Sequence, residues 1–180
     1  MTSSFHIAAA SDADCDELAV LVNHAYRGDS SRAGWTTEAD LLDGQRTDAA
    51  ALRAQIAGPG HAILCLRAAA AGPILGCVAV HDIDDEGGRG VYFGMLTVRP
   101  DMQARGLGRA LLDRIEELAR ERGARRVTMT VIPLRQTLVA WYERRGFRPR
   151  GDVRPFPYDQ PAFGMPKRPD LTLAVFEKVL

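Results

Sequence analysis

A short turn ahead of the most regular helix pattern in the sequence has the residue types that bind phosphate. The turn, residues 103–108 (QARGLG), follows an apolar strand pattern and opens an amphipathic helix. The first backbone N–H groups of a helix have no partner inside it, and glycine lets the backbone come close to a ligand. Each charge-assisted hydrogen bond contributes about 1.5–3 kcal/mol, whereas the helix dipole contributes about 0.3–1 kcal/mol. Several N–H groups aimed at one diphosphate therefore outweigh the dipole. The candidate binding residues are Gln103, Ala104, Arg105, Gly106, Leu107, Gly108 and Arg109.

Three classes of phosphate-binding turn occur at such a junction between a strand and a helix. A P-loop requires G-x-x-x-x-G-K-[ST], and the sequence contains no such run. A dinucleotide-binding fold would have a third glycine at position 111 and an acidic residue at the end of the next strand. Leu111 and the segment Thr130–Ile132 occupy those positions. The remaining class binds coenzyme A.

Two motifs in order resemble those of the GNAT superfamily of N-acetyltransferases. Residues 103–108 match its Q/R-x-x-G-x-G/A signature, with a typical approach in Leu96–Pro100 and a typical continuation in Arg109–Leu112. Further along, Tyr142–Phe147 resembles the family's Y-x-x-x-G-F segment. The resemblance covers most of the chain and is strongest over residues 91–149. It extends to a stretch found in bacterial members of the superfamily, between the first two helices.

The resemblance implies a reaction and residues for it. Acetyl-CoA would be the cosubstrate, and the primary amine of a small molecule would attack its thioester directly in a ternary complex. The pantetheine arm would lie between two splayed strands, held by backbone groups of Leu96, Thr97 and Val98. The N–H of Leu96 or its neighbour would be the oxyanion donor. Tyr142 would contact the coenzyme and protonate the departing thiolate, unless it only packs beside Trp141.

Such a reaction needs two proton transfers. A phenol titrates at about 10 and an alkyl thiol at about 8.5, so full transfer from Tyr142 to the thiolate is uphill by about 2 kcal/mol. A lowered pKa of Tyr142 would reduce that cost. Many relatives carry a carboxylate on the strand before the turn, but Val91–Met95 contains no acidic residue. The candidate bases are His81, Asp82, Glu38 and His24, or the amine loses its proton without a dedicated base.

The connection after the first predicted helix is the candidate wall of the acceptor pocket, because GNAT folds place this connection over the acceptor. Trp35 and Glu38 would hold an amine through an aromatic face and a charge. Arg46 would clamp a carboxylate in bidentate fashion. The alternative is that Trp35 belongs to the core and that Arg46 pairs with Asp43 or Asp48.

A proline-rich loop, Pro155–Pro169, also bears on the acceptor. It contains three aromatic residues and would either cover the site or mediate a dimer, unless it is an ordinary surface loop. The candidate substrate-binding residues are Trp35, Glu38, Arg46, His81 and Tyr158.

These residues need a framework that brings them together. Apolar periodicity and turn residues predict helices at Ser11–Tyr26, Glu38–Leu42, Asp48–Ala57, Gly106–Arg122 and Gln136–Arg145, and strands at Phe5–Ala8, Ala62–Leu66, Ile74–His81, Val91–Val98, Val127–Ile132, Phe147–Val153 and Leu171–Val179. A right-handed crossover makes the strands before and after the glycine-turn helix parallel. The predicted fold is a single α/β domain over residues 1–180, of the GNAT type. Its mixed, mostly antiparallel sheet has about six or seven strands, helices on both faces, and a V-shaped splay between the strands near 91–98 and 127–132.

Composition limits the classes of function. The sequence has 23 Lys and Arg and 23 Asp and Glu, a formal net charge of zero, which argues against binding nucleic acid or anionic membranes through bulk charge. Three cysteines without a C-x-x-C pair indicate free thiols. Without a signal peptide or an apolar span, we expect a cytoplasmic protein, and no metal-ligand spacing is found. The competing functions are an acyl-CoA-binding sensor without turnover and an enzyme that acetylates protein N-termini or lysines; a homodimer is left open.

Overall fold

The computed structural model describes residues 5–180. Residues 1–4, which the expected domain and the expectation about a signal peptide include, lie outside that range. Short 3-10 turns precede several elements. The helices and strands of the described chain are, in order, β1 (His6–Ala9), α1 (Cys15–Tyr26), β2 (Leu42–Asp43), α2 (Ala49–Ala57), β3 (His61–Arg67), β4 (Ile74–Asp85), β5 (Gly88–Val98), α3 (Leu107–Glu121), β6 (Arg126–Val131), α4 (Gln136–Glu143), β7 (Arg148–Pro155), β8 (Met165–Pro166) and β9 (Thr172–Val179).

One sheet organises the molecule. Within residues 5–180 it has seven strands in the order β1-β3-β4-β5-β6-β9-β7. Neighbouring strands are antiparallel except β5 and β6, which are parallel and joined through α3. The predicted mixed sheet and its crossover are therefore confirmed.

Helices cover both faces of the sheet, as predicted. On one face, α1 and α2 bury Leu18 and Leu52 against Cys65 and Cys77. On the other, α3 and α4 bury side chains that include Leu111 against the sheet. Fully burying a Leu or Ile side chain contributes about 1.5–3 kcal/mol, so the apolar stripes of α1 and α3 hold these helices in place. All three cysteines are buried free thiols: Cys15, Cys65 and Cys77.

The predicted splay lies between β5 and β6. The two strands pair only at Val91–Val127 and Tyr92–Thr128, and beyond those pairs they diverge. The other edge of β5 carries a bulge, because the register with β4 shifts between Cys77 and Ala79. The extra residue is Met95, which has a left-handed backbone with φ 54°. Bulges of this kind re-aim the backbone beside functional sites.

Two local predictions were wrong. The segment Glu38–Leu42 is a turn in which the N–H groups of Leu41 and Leu42 donate to the Glu38 carbonyl, and β2 then pairs with β8. A helical segment this short is not stable on its own, and pairing with β8 takes over its last residue. The predicted turn Asp82–Gly90 is mostly strand, since β4 and β5 continue to a tight hairpin at Asp85 and Gly88.

No helix within residues 5–180 has both the length and the apolar character that crossing a bilayer requires.

Candidate active site

The turn between β5 and α3 has the shape that an anion requires. Ala104 and Gly106 both have left-handed backbones, with φ 61° and 82°. Such turns direct successive N–H groups towards one point, and a left-handed non-glycine residue costs about 1–3 kcal/mol. A Cβ placed on Gly106 would meet nothing within 4 Å, so the turn faces open space.

A cavity of about 320 Å³ lies over this turn, and we call it the coenzyme cradle. Most of the residues predicted to bind the coenzyme are in its wall. Thr97, Arg105 and Tyr142 are not among them: Thr97 is buried and donates its hydroxyl to the Met95 carbonyl at 2.9 Å, Arg105 is exposed, and Tyr142 lines the second cavity described below. The wall consists of Trp35, Thr36, Leu96, Val98, Gln103, Ala104, Gly106, Leu107, Gly108, Arg109, Trp141 and Arg145.

Cationic side chains make the cradle fit a diphosphate. The Arg145 guanidinium lies 3.7 Å from the centre of the Trp141 ring, and its Nε is buried without a hydrogen-bond partner among the described residues. Burial, and then the charges of Arg144 and Arg109, lower the pKa of Arg145. A bound anion would offset that repulsion, so the residues present fit the diphosphate of coenzyme A.

Gln103 positions one side of the cradle wall, formed by Trp35 and Thr36. Its Oε1 accepts from the N–H of Trp35 at 3.0 Å, and its Nε2 donates to the Thr36 hydroxyl at 3.3 Å and to the Val98 carbonyl at 3.2 Å. A Cβ on Gly34 would lie 2.8 Å from the same Nε2, so only glycine allows this approach. Gln103 thus uses its side chain to position the segment that carries Trp35.

Trp35 lies in the coenzyme cradle and not in the acceptor pocket where the sequence suggested it. Its ring centre is 5.5 Å from that of Trp141, and it keeps 39% of its surface exposed. The pair therefore forms an aromatic wall beside the turn. Neither Trp141 nor Arg145 was predicted to bind the coenzyme. Arg145 lies within the second family motif, Tyr142–Phe147, and Trp141 directly precedes it.

A second cavity, of about 130 Å³, lies in the splay between β5 and β6, and we call it the acceptor pocket. The Tyr92 hydroxyl is 2.8 Å from the Thr130 Oγ1, which bridges the two strands where they begin to separate. The pocket is lined by Tyr26, Glu38, Leu42, Arg46, Tyr92, Phe93, Gly94, Met95, Leu96, Met129, Thr130, Val131, Ile132, Arg135, Leu138, Tyr142, Phe156, Phe163 and Leu173.

Leu96 belongs to the walls of both cavities. It follows the left-handed Met95 in the bulge, and its carbonyl accepts a 2.6 Å hydrogen bond from the Tyr26 hydroxyl. Burial, and then the charge of Glu38, raise the pKa of Tyr26 to about 12, so this donor stays protonated. The backbone predicted to meet the thioester is therefore held in place where the cavities join.

Tyr142 lines the acceptor pocket and is 5% exposed. Its ring packs edge-on against Trp141 and Phe147, with centre distances of 4.9 and 5.7 Å. Packing and access to the pocket therefore occur together, although the sequence left them as alternatives. Burial, and then the nearby Tyr26, raise the pKa of Tyr142 far above its ordinary range. The lowered pKa that would ease proton transfer is not found.

Glu38 is in the pocket but is already paired. One carboxylate oxygen is bound by Arg27, and the other lies 3.0 Å from the Arg135 guanidinium. Arg135 also donates to the Thr36 carbonyl at 2.5 Å. A carboxylate held by two guanidiniums, one buried and one partly buried, is neither a free base nor a free site for an ammonium group.

Arg46 is the predicted acceptor residue that reaches the pocket with its charge available. Its guanidinium lies 5.7 Å from the centre of the Tyr26 ring. The two predicted alternative partners are used elsewhere: Asp43 pairs with Lys167 at 2.9 Å, and Asp48 accepts from the N–H of Ala51 at 2.8 Å to cap α2.

The other predicted residues lie outside the acceptor wall. His81 stacks between His61 and Tyr92, at ring distances of 4.9 Å each, and burial, followed by His61, lowers its pKa. Asp82 pairs with Arg122 at 2.7 Å. The remaining base candidate, His24, is in α1 and is likewise absent from the wall.

Tyr158 supports the proline-rich loop and does not line the pocket. Its hydroxyl donates to the Arg168 carbonyl at 3.0 Å and accepts from the N–H of Leu171 at 2.7 Å. The loop's contribution to the pocket comes from Phe156 and Phe163.

The loop that carries Phe156 and Phe163 is fastened across the pocket. Lys167 donates to the Ala39 carbonyl at 2.7 Å, and Arg27 donates to the Phe163 carbonyl at 3.2 Å. With the β2–β8 pairing, these contacts join the loop to the segment after α1; its covering role stays a prediction.

Comparison with known proteins agrees with this geometry. The sequence profile of the acetyltransferase (GNAT) family matches residues 29–147. An "IAA acetyltransferase" from Azospirillum brasilense is 35% identical over 96 residues, which are 53% of this chain and 61% of that protein.

Solved structures share the fold at lower identity. A ribosomal-protein-alanine N-acetyltransferase from Brucella melitensis is 22% identical, with a TM-score of 0.69 over 97% of this chain and 99% of that one. An acetyltransferase from Salmonella typhimurium, solved with acetyl-CoA, is 22% identical, with a TM-score of 0.68 over 98% of this chain and 94% of that one. Because the family profile covers more than half of the sequence, and the fold is that of these structures, the chain belongs to the acetyltransferase (GNAT) family.

Proposed function

We propose that the protein transfers the acetyl group of acetyl-CoA to the primary amine of a small molecule, by direct attack in a ternary complex. The observation that carries the proposal is that the coenzyme cradle and the acceptor pocket share Leu96. Reactants held in adjoining cavities can meet at about 3–3.5 Å without a covalent relay through the protein. Acetyl-CoA supplies the reactive thioester when it is bound.

The chain's own groups have separate roles in this proposal. The backbone at Leu96, fixed by the bulge and by Tyr26, donates to the developing oxyanion. A preorganised donor of this kind is often the largest single catalytic contribution. Tyr142, protonated because it is buried, donates to the departing sulfur as a hydrogen-bond donor or acid.

Deprotonation of the amine is assigned to the pocket's charge and not to one base. Glu38 is the carboxylate in the described wall, and two arginines hold it. Arg46 and Arg135 make the surroundings cationic, and nearby positive charge favours the neutral form of a bound amine. The amine is therefore expected to bind in its neutral form, with its proton released to solvent. The N–H proton lost as the amide forms also passes to solvent and balances the proton that the sulfur receives through Tyr142.

The size of the pocket supports a small acceptor over a protein terminus. Its volume is about 130 Å³, and Phe156 and Phe163 come from a loop fastened over it. A polypeptide acceptor needs a groove that continues beyond the reacting amine.

The test begins with calorimetry of acetyl-CoA binding to the wild type and to Gly106→Trp. The indole would enter the open space in front of the turn. Gly88→Trp is the matched control, since Gly88 has the same left-handed backbone (φ 80°) and the same open surroundings but lies at the β4–β5 hairpin. We expect binding in the wild type and the control and its loss in Gly106→Trp.

Thiol release with a panel of small amines follows. Amine-dependent release of free coenzyme A supports the transferase. Binding without release for any small amine would point to the sensor function, and release only with peptides would point to a protein acetyltransferase. Failure of the folded wild type to bind acetyl-CoA would contradict the proposal altogether.

A further inference from the structure

The wall of the acceptor pocket contains more positively charged than negatively charged side chains. Its wall contains one carboxylate, Glu38, and two guanidiniums, Arg46 and Arg135. Glu38 is shared between Arg135 and the buried Arg27. Among residues 5–180, no carboxylate lies within salt-bridge distance of Arg46. The pocket therefore has one cation more than its own anion can match.

Arg46 is held in place through its backbone. Its N–H donates to the Asn23 Oδ1 at 2.6 Å, and the Asn23 Nδ2 donates to the Thr47 carbonyl at 2.8 Å. Asn23 belongs to α1, whose apolar face is buried against the sheet, so the segment that carries Arg46 is fixed to the framework of the fold. The guanidinium, by contrast, contacts the face of Tyr26. Because its backbone is fixed and its guanidinium has no carboxylate partner among residues 5–180, the Arg46 side chain is available to bind a ligand.

The position of Arg46 relates it to the reaction. Its guanidinium lies 5.7 Å from the Tyr26 ring centre, and the Tyr26 hydroxyl reaches the Leu96 carbonyl at 2.6 Å. One tyrosine side chain therefore separates the unmatched cation from the junction of the two cavities. A small molecule can span that separation with its two ends.

We propose that the acceptor carries a carboxylate in addition to its amine, and that the carboxylate pairs with Arg46. The inference rests on the proposed function, since it names the class of amine that the same pocket accepts. A planar guanidinium matches a carboxylate in bidentate geometry. An amine without an acid group would bring no counter-charge to Arg46, and its protonated form would be repelled. The rest of the pocket wall includes the apolar residues Leu42, Ile132, Phe156 and Phe163, which suit an acceptor whose amine and carboxylate are joined by an apolar group.

The test uses products, so that binding is measured without turnover. N-acetyl derivatives of alanine, methionine and phenylalanine are titrated by calorimetry into the protein saturated with coenzyme A. Each acid is paired with its carboxamide, which has the same shape without the charge. The N-acetyl derivative of an aminophosphonate is added to separate a carboxylate site from a general anion site.

Three variants complete the design. Arg46→Gln removes the charge, Arg46→Lys keeps the charge without the planar fork, and Arg53→Gln is the control. Arg53 is an exposed arginine of α2 that pairs with Asp12 and Asp16 at the surface. Because the Arg46 side chain has no carboxylate partner in the described structure, Arg46→Gln is expected to keep its melting temperature and its affinity for coenzyme A.

At least one acid should bind the wild type at least tenfold more tightly than its carboxamide. Arg46→Gln should weaken that acid about 10-fold to 100-fold, as expected for the loss of a charge-assisted pair. Arg46→Lys should fall between the two, and the carboxamides and Arg53→Gln should show no change. The inference is overturned if no acid binds the wild type, if carboxamides bind as tightly as acids, or if Arg46→Gln leaves the acids unaffected. Preference for the phosphonate over every carboxylate would overturn the choice of carboxylate.

These outcomes are separable from those of the proposed function. Turnover of neutral amines without any acid preference would leave the transferase standing and overturn the role of Arg46. Arg46-dependent binding of acids without thiol release for any amine would support the role of Arg46 and contradict the transferase.

Discussion

The coenzyme cradle and the acceptor pocket share Leu96 but are built in different ways. One side of the cradle is a continuous turn within residues 103–108, whose backbone we propose as the source of its hydrogen-bond donors. The acceptor pocket is assembled by side chains from segments as distant as Tyr26 and Leu173. Backbone donors bind the invariant part of a substrate with few demands on residue type. Side chains from distant segments set selectivity, and they depend on the whole fold being correct.

The largest expected effect comes from breaking the ion network of the acceptor pocket. Glu38→Gln leaves the buried Arg27 and the partly buried Arg135 without a counter-charge, which should lower the free energy of unfolding by about 3–5 kcal/mol. Urea denaturation measures the change. Asp40→Asn is the control, because Asp40 pairs with Arg32 at the surface and exposed pairs contribute about 0–1 kcal/mol. Equal stabilities for the two variants would contradict the structural role of Glu38.

Substitution of Tyr142 probes the boundary between the two cavities, because Tyr142 lines the acceptor pocket and packs against Trp141 of the cradle. Tyr142→Phe keeps the packing against Trp141 and Phe147 but removes the hydroxyl, so kcat should fall about 100-fold, as is typical for the loss of an acid or a donor. The Kd for acetyl-CoA should stay within about twofold of the wild-type value. Steady-state kinetics and calorimetry separate the two quantities, and an unchanged kcat would mean that Tyr142 only packs.

Loss of the Gln103 side chain should have a smaller effect, limited to the affinity for the coenzyme. Gln103→Ala removes three hydrogen bonds, to Trp35, Thr36 and Val98, each with a net contribution of about 0.5–1.5 kcal/mol. We expect the Kd for acetyl-CoA to rise about tenfold, with kcat at saturation unchanged. Gln45→Ala is the control, since Gln45 bonds only the exposed Asp48 among the described side chains. A fall in kcat at saturation would show that the two regions are coupled.

The smallest expected effect is one of pH. Because burial raises the pKa of Tyr142, the protonated donor persists above the ordinary titration of a phenol at about 10. Loss of the donor should then occur only as the pH rises through the raised folded-state pKa. The profile of kcat should therefore have no descending limb up to about pH 10. A limb at lower pH that disappears in Tyr142→Phe would contradict this.

Much of the fold and the cradle could be predicted from the sequence, because their signals are local. Apolar periodicity marks the strands and helices, and the turn at 103–108 carries its ligands within one stretch. The direction of the Tyr142 pKa could not be predicted, because it depends on burial by residues far along the chain.

The charge pairing in the acceptor pocket could not be predicted for the same reason, although Glu38, Arg46 and Tyr142 were predicted as site residues and line the pocket. Glu38 pairs with Arg27 and Arg135, and these pairings decide that Arg46 is the unmatched charge. Trp35 lies in the wall of the cradle and not of the acceptor pocket, because its place is set by Gln103, which is 68 residues away. Contacts of this kind leave no periodic signal in the sequence.

The extra residue in β5 acts as a change of phase along that strand. Before it, the odd-numbered Val91 and Phe93 face the core beneath α3; after it, the even-numbered Leu96 and Val98 do. Met95 turns to the opposite core. Since side chains alternate strictly along a regular strand, pairing the same sequence without the bulge would turn Leu96 and Val98 to the opposite face of the sheet. The bulge at Met95 thus keeps the side chains before and after it on the face that packs against α3. It does so directly beside Leu96, where the two cavities meet.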